Sequence, residues 1–438
     1  MDTLVDYILW MRDIPFNAMP FREADALTLC LLSYFDFAPL FTDEEEVPLK
    51  RAKALLEQGR ARVAIVGGDM GYLDILAAAA DSRRFGDILM GDYVDILEEE
   101  PPLQFSALTF RWGEEAFLAY RGTDSTLAGW EEDCMISFTH TPSQELALDY
   151  ARRVLRPGWR WRMGGHSKGG NLALYAAGSL PRAQLERVEQ IYLLDAPGLC
   201  PEVVGDGFLH GMEEKICRII PQFCVVGKIF EPKVPNTTIV PSTAVGVLQH
   251  ALSTWGIDHG ALARAERCDP ISLWLDQVQE QFISALSREE RVSFFREVFD
   301  ALGSGGERTL EDLAAEGLNG YKGVREYLKD HASESTRRIL ADLPRQALRS
   351  GLENIQQELP RQARSGLDSL QHKHLTPERQ AQLAQLPRQA LRSGLDTLSS
   401  LRSGRTSQTQ EEHVVYTPLR GRWIENGKHP QDGEGEEN

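Results

Sequence analysis

The sequence predicts an α/β fold, a mostly parallel sheet with helices on both faces. Three observations carry that prediction. Ile191-Tyr192-Leu193-Leu194 is a short apolar run, of the kind that central parallel strands show, and it stops at the turn residues Asp195-Ala196-Pro197-Gly198. Strand-like runs alternate with helical ones, the rhythm of βαβ units. The chain has 438 residues and is 42% hydrophobic, which allows a sizeable core and leaves length for a second region.

From the amino terminus, residues 1 to about 55 read as mainly helical, with apolar clusters at 7–11 and 24–37. A helical run at 74–80 leads to Ser82-Arg83-Arg84-Phe85-Gly86. A hairpin follows: a strand at 105–112, a turn at Gly113-Glu114-Glu115 and a strand at 116–120, ending at Arg121-Gly122-Thr123-Asp124. Residues 143–155 read as a helix. Trp159, Trp161 and Met163 alternate with Arg160 and Arg162, the period of two expected of a strand, and run into Gly164 and Gly165. Residues 171–177 read as a buried helix stopped by Gly178 and Pro181. Residues 236–240 are strand-like.

Composition changes near 303–306, and beyond about Arg337 the chain repeats itself. Leu343-Pro344-Arg345-Gln346-Ala347-Leu348-Arg349-Ser350-Gly351-Leu352 recurs at 386–395 and, shortened, at 359–367. Proline stands where a helix can begin, and Ala347, Leu348, Leu352, Ile355 and Leu359 then fall near one face, with arginines dominating the others. Such helices suit a solvated stalk, a self-associating bundle, or docking on a membrane surface or partner. The expected division is an α/β domain at 1–300 with a helical amino-terminal segment, amphipathic helical repeats at 301–402, and an acidic tail at 403–438 too polar to fold.

The formal charge of −18 argues against nucleic acid as a partner, because phosphate binding needs clustered Lys and Arg. Six cysteines are scattered without a Cys-x-x-Cys pair, so neither a zinc site nor a disulfide framework is expected. No signal-like amino terminus and no run of ~18 apolar residues is present, which reads as a soluble, cytoplasmic protein, peripheral to a membrane if the repeats bind one. No metal and no cofactor is expected.

Gly165-His166-Ser167-Lys168-Gly169, between a strand and an apolar helix, is a candidate nucleophile elbow. A serine hydroxyl is a weak nucleophile at neutral pH. It has to be lifted on a tight turn toward a base, and flanking glycines permit that turn. Ser167 is therefore the candidate nucleophile. The backbone N–H of Lys168 would be one oxyanion donor, and Thr123, in the loop after the hairpin, is the candidate for the other.

Tyr120-Arg121-Gly122-Thr123, Trp130, Asp133 and Gly165-His166-Ser167-Lys168-Gly169-Gly170 resemble the motif series of the class-3 (fungal-type) lipases. In those proteins a Phe-Arg-Gly-Ser/Thr segment supplies the oxyanion residue, W-x-x-D follows, and G-H-S-L-G-G carries the nucleophile. The chain also resembles a family of uncharacterised bacterial proteins assigned to that superfamily, through Asp6 to Trp10, Arg121-Gly122-Thr123-Asp124, Gly129-Trp130-Glu131-Glu132-Asp133, Gly165 to Asn171 and Gln249-His250. The resemblance covers about residues 6–258. It implies an α/β-hydrolase fold and esterase or lipase-type chemistry on a lipid or smaller acyl ester.

The chain order Ser, acid, His restricts the base to histidines after Asp195. His250 follows strand-like residues and matches the family position, with His259 and His210 as rivals. His166, beside the serine, is expected to pack under the elbow. The acid departs from the lipase pattern, since Cys224 stands where the resemblance places an aspartate. Asp195 offers a replacement at a strand end, as in pancreatic-type lipases with an L-D-P-A-like segment. A turn-capping role for Asp195 and a serine–histidine dyad stay open. Lys168, a leucine in the lipases, would serve solubility or attract an anionic part of the substrate. Arg121 and Asp133 are expected to pair behind the oxyanion loop. A different class of function also remains, a non-catalytic relative docking through its repeats, supported by Cys224.

Overall fold

In a computed structural model of the chain the described residues are 1–341, apart from 43, 66–69, 99–102, 125, 271, 274–275, 277–284, 307–308, 310–322 and 325. The sequence repeats at 343–395 and the tail from Ser403 lie outside the described residues.

Eight strands form one sheet whose spatial order follows the chain: β1 Glu46–Pro48, β2 Leu89–Glu98, β3 Leu103–Trp112, β4 Glu115–Tyr120, β5 Arg160–His166, β6 Val188–Leu194, β7 Ile216–Pro221 and β8 Thr237–Val240. The first four pair antiparallel, and β4 to β8 run parallel. Helices α1 Leu4–Met11, α2 Glu23–Leu32, α3 Lys53–Glu57 and α4 Tyr72–Asp81 precede β2. Between β4 and β5 lie α5 Leu127–Met135 and α6 Pro142–Val154, and between β5 and β6 lie α7 Lys168–Ser179 and α8 Arg182–Leu185. The short α9 Pro201–Val204 follows β6, and α10 Arg288–Leu302 follows the sheet. The architecture is α/β, with an eight-stranded sheet and flanking helices.

Successive side chains of a strand point to opposite faces, and the core divides accordingly. Phe117 and Ala119 of β4, with Tyr192 and Leu194 of β6, face a cluster built from α1, α2 and α4. Ala116, Leu118 and Tyr120, with Ile191 and Leu193, face a cluster built from α6 and α7. Burial on both faces is why β6 reads as a continuous apolar run. Helix α6 shows the other pattern, with Pro142 in its first turn, Thr141 and Gln144 forming a capping box, and Ala147, Leu148, Ala151 and Val154 turned inward.

Four features differ from the sequence reading. The amino-terminal 55 residues are less helical than expected and supply edge strand β1. Glu115 pairs with Trp112, so the hairpin turn is Gly113-Glu114 alone. Strand β2 escapes a period-two search because the register shifts between Gly91 and Val94, where Asp92 takes φ 50°. Strand β7 carries a buried Arg218 in its middle, held by Glu231 at 2.8 Å and by the Gly227 carbonyl at 2.8 Å. Packing also runs on past residue 300: residues 334–341 are helical, Thr336 and Ile339 are buried, and the Ser333 N–H donates to Glu297 at 2.7 Å. Among the described residues no helix is long and apolar enough to cross a membrane.

Candidate active site

Parallel pairing aligns the carboxyl ends of neighbouring strands. Tyr120 pairs with Gly165, His166 with Leu194, and Leu194 with Ile219. The segments leaving those ends carry Thr123, Ser167, Asp195 and Cys224. In open α/β sheets this edge is where ligands bind.

Ser167 sits between β5 and α7 with φ 56° and ψ −130°, a conformation that costs a non-glycine residue about 1–3 kcal/mol. Its N–H donates to the Leu194 carbonyl at 3.0 Å, and its carbonyl accepts from the Gly170 N–H at 3.0 Å. The turn is possible because side chains are missing around it. A Cβ on Gly165 would lie 2.2 Å from the Gly169 carbonyl carbon, and a Cβ on Gly169 would lie 2.2 Å from the Tyr120 carbonyl oxygen. Helix α7 therefore starts hard against the ends of β4 and β5. Among the described residues no side chain caps it, so the Lys168 N–H at its start can face an anion. Ser167 is 5% exposed, and among the described residues no hydrogen bond joins its Oγ to His250.

Asp195 and His250 come together. His250 Nδ1 lies 2.6 Å from Asp195 Oδ2, in a pair whose carboxylate is 1% exposed and whose imidazole is 28% exposed. The other oxygen, Oδ1, accepts from the Cys224 thiol at 3.0 Å and from the Gly227 N–H at 3.1 Å. Asp195 thus acts as an acceptor to three donors and caps no local turn. Cys224, where the resemblance places an aspartate, is a partner of the Asp195 carboxylate that follows β6. Burial, with the Asp195 charge beside it, pushes the Cys224 thiol well up, so it stays protonated and able to donate.

The loop that brings His250 to the site is tied at three points. Gln249 Oε1 accepts from the Phe223 N–H at 2.9 Å, Trp255 Nε1 donates to the Gln249 carbonyl at 2.8 Å, and His166 Nε2 lies 2.8 Å from the His250 carbonyl. A carbonyl can only accept, so His166 Nε2 carries the proton and Nδ1 accepts from Tyr34 Oη at 2.8 Å. Burial, with His250 beside it, holds His166 far below the ordinary histidine range, in its neutral form. His166 packs under the Ser167 turn and braces the His250 backbone. The rivals lie elsewhere: His259 is 94% exposed and paired with Asp258, and His210 is exposed.

Thr123 is buried beside Asp133, and among the described residues its Oγ1 meets no partner with hydrogen-bond geometry. Two sequence expectations near it are corrected. Arg121 pairs with Asp95, not Asp133, at 2.8 Å, because the antiparallel strands bring β2 alongside. Asp133 keeps one carboxyl oxygen out of water and, among the described residues, without a hydrogen-bond partner, and burial pushes its carboxyl up to about 6. Lys168 neither solubilises the protein nor reaches toward substrate. It is fully buried, and its Nζ donates to Glu132 Oε2 at 2.5 Å and to the Gln104 carbonyl at 2.7 Å. A helix position that faces the core obliges a charged side chain to find a counter-ion. Glu132 was the residue to look for, in a Glu131-Glu132-Asp133 run on a half-buried helix.

A strained serine turn, a buried carboxylate–imidazole pair and a helix amino terminus thus share one edge of an α/β sheet. The chain belongs to the Mbeg1-like family, whose sequence model matches residues 79–300, just over half of it. That span holds all the residues just described except Tyr34. Among solved structures, the crystal structure of M37 lipase is similar at 15% identity over 48% of this chain and 70% of that one, with a TM-score of 0.28, too loose a superposition to carry weight. No curated protein matches the chain.

Proposed function

We propose that the protein is a serine hydrolase of the α/β-hydrolase type, cleaving a carboxylic ester of a lipid or a smaller acyl compound. The observation that carries this reading is the 2.6 Å contact of His250 Nδ1 with Asp195, at the strand end beside the strained Ser167. Asp195 accepts the Nδ1 proton of His250, which leaves the Nε2 lone pair to act as base. Ser167 Oγ attacks the ester carbonyl as its proton passes to His250 Nε2. The oxyanion so formed is met by the Lys168 N–H and by Thr123. Collapse breaks the ester C–O bond, and His250 returns the proton to the leaving alkoxide. Water, deprotonated by His250 in turn, then releases the acid from the acyl-enzyme. The missing Ser167–His250 hydrogen bond is compatible with this scheme, because such bonds often tighten only with substrate present.

The non-catalytic alternative rested on Cys224 in place of an acid, and the Asp195–His250 pair weighs against it. A fluorophosphonate probe tests the proposal. Stoichiometric labelling of the full chain, abolished in Ser167→Ala, is the expected result. A folded wild-type protein that takes no label, and turns over no p-nitrophenyl ester, would sink it.

A further inference from the structure

We propose that the buried Lys168–Glu132 ion pair is a positioning device that fixes the spacing between the two halves of the oxyanion site. The inference rests on the hydrolase reading above. One half is the backbone N–H of Lys168 itself, at the start of α7. The other is the Thr123 loop, which leads directly into α5, the helix that carries Glu132.

Hydrogen bonds tie Asp124 of that loop to the start of the helix. Asp124 Oδ1 accepts from the Thr126 N–H at 2.9 Å and from its hydroxyl at 2.5 Å, and Thr126 Oγ1 accepts from the Gly129 N–H at 3.1 Å. Where α5 sits therefore decides where Thr123 sits. Glu132 locates α5 by gathering three other elements around one carboxylate. Oε2 takes the Lys168 ammonium from α7 and the Gln104 N–H from β3 at 3.0 Å, and Oε1 takes the Ser143 N–H from α6 at 3.2 Å.

The chemistry of the position points the same way. The residue after the serine is wholly buried, and an apolar side chain of similar length would fill such a place without the desolvation of two charges. Buried ion pairs seldom add net stability over well-packed apolar groups; what they supply is a fixed geometry, since neither charge tolerates losing the other. Here the fixed geometry spans the gap between two groups that must both lie about 2.7–3.1 Å from one developing oxyanion.

The test compares Lys168→Met, Glu132→Gln and the double variant with the full-length wild type. Glutamine keeps an acceptor for the Gln104 and Ser143 N–H groups while ending the ion pair, so it carries the test if Lys168→Met fails to fold. A positioning role predicts a fall in kcat of about 10²-fold, the scale of one lost oxyanion donor, with KM changed no more than a few-fold. The double variant should be no worse than either single one, as for groups acting together. Amide exchange in residues 121–126 should speed up in the same variants. A lowered melting temperature with kcat within threefold of wild type and unchanged exchange in that loop would overturn the proposal. Phosphonate labelling of the wild type separates the two claims. If it fails, the hydrolase reading falls, and loop exchange alone then decides whether the ion pair holds the loop.

Discussion

Asparagine at position 133 should make the protein more stable at neutral and alkaline pH and leave it unchanged in mild acid. The Asp133 carboxyl lies beside the Thr123 loop, with Oδ1 shielded from water and, among the described residues, without a hydrogen-bond partner. Burial raises its pKa from 3.8 to about 6, against the opposing pull of the Lys168 and His250 charges and the nearby Thr123 hydroxyl. A rise of about two units corresponds to about 3 kcal/mol, at 1.36 kcal/mol per unit. The folded-state pKa lies above the unfolded one, so the unfolded chain gives up this proton first. Stability from this group is fully present below about pH 4 and drains away as pH rises through about 6. Asparagine mimics the protonated acid in shape and has no proton to lose. Urea unfolding at about pH 3.5 and about pH 8 should show nearly matching midpoints at the lower pH, with the variant ahead by up to about 3 kcal/mol at the higher. A gap that does not change with pH, or a variant weaker than wild type at pH 8, would refute the assignment of a buried, uncompensated carboxyl.

Ser167→Ala should lose turnover by ~10⁴ to 10⁶ with its melting temperature intact, and His250→Ala should match it, the double variant being little worse. His259→Ala should be silent, and a p-nitrophenyl ester assay on the four proteins reads all of this. Asp195→Asn should cost about 10⁴ in kcat by favouring the wrong His250 tautomer; Cys224→Ser should retain most activity, because a hydroxyl still donates to Asp195 Oδ1. Steady-state kinetics on that pair checks whether the thiol matters beyond its hydrogen bond. Truncation after Ala341 should leave hydrolysis of a soluble short-chain ester nearly unchanged, whereas a cut at Ser335 removes Thr336 and Ile339 from the folded unit and should lower stability. Vesicle co-sedimentation and light scattering of full-length and truncated protein then show whether the Arg-rich repeats bind anionic lipid at ~1 kcal/mol per basic residue or associate with one another.

The parts of the fold legible in the sequence were those with one dominant cause. Strand β6 is buried on both faces and reads as four apolar residues in a row; α6 is buried on one face and reads with a helical period. Strand β2 has two causes in conflict. Its pairing with β3 calls for alternation, and the shift at Gly91 to Val94 breaks the alternation halfway. Strand β7 hides for a related reason, because Arg218 looks like a solvent-facing residue until Glu231, thirteen positions on, supplies its counter-charge. The same division runs through the candidate site. The tight turn at Ser167 was legible because a strained turn demands glycines at fixed places, which is a local signal. Glu132, Tyr34 and the Asp95 partner of Arg121 were not, because an ion pair between distant segments leaves only two separate charges in the sequence.

The proposed acid, Asp195, shows how topology bears on what a motif leaves open. By linear resemblance the carboxylate belonged at Cys224, and its replacement there suggested a broken site. In space, neighbouring strands lie about 4.8 Å apart, and β6 is the immediate neighbour of the strand that carries Ser167. Asp195, just past the end of β6, is therefore placed where a short side chain meets the His250 imidazole. Asp195 does so with Oδ2 and turns Oδ1 toward β7, where Cys224 and the Gly227 N–H receive it. An aspartate at 224 would set a second carboxylate against the first, and the repulsion of two buried like charges would force one to take up a proton. With the proposed acid at Asp195, position 224 calls for a small buried donor, and a thiol kept protonated by its surroundings meets that need.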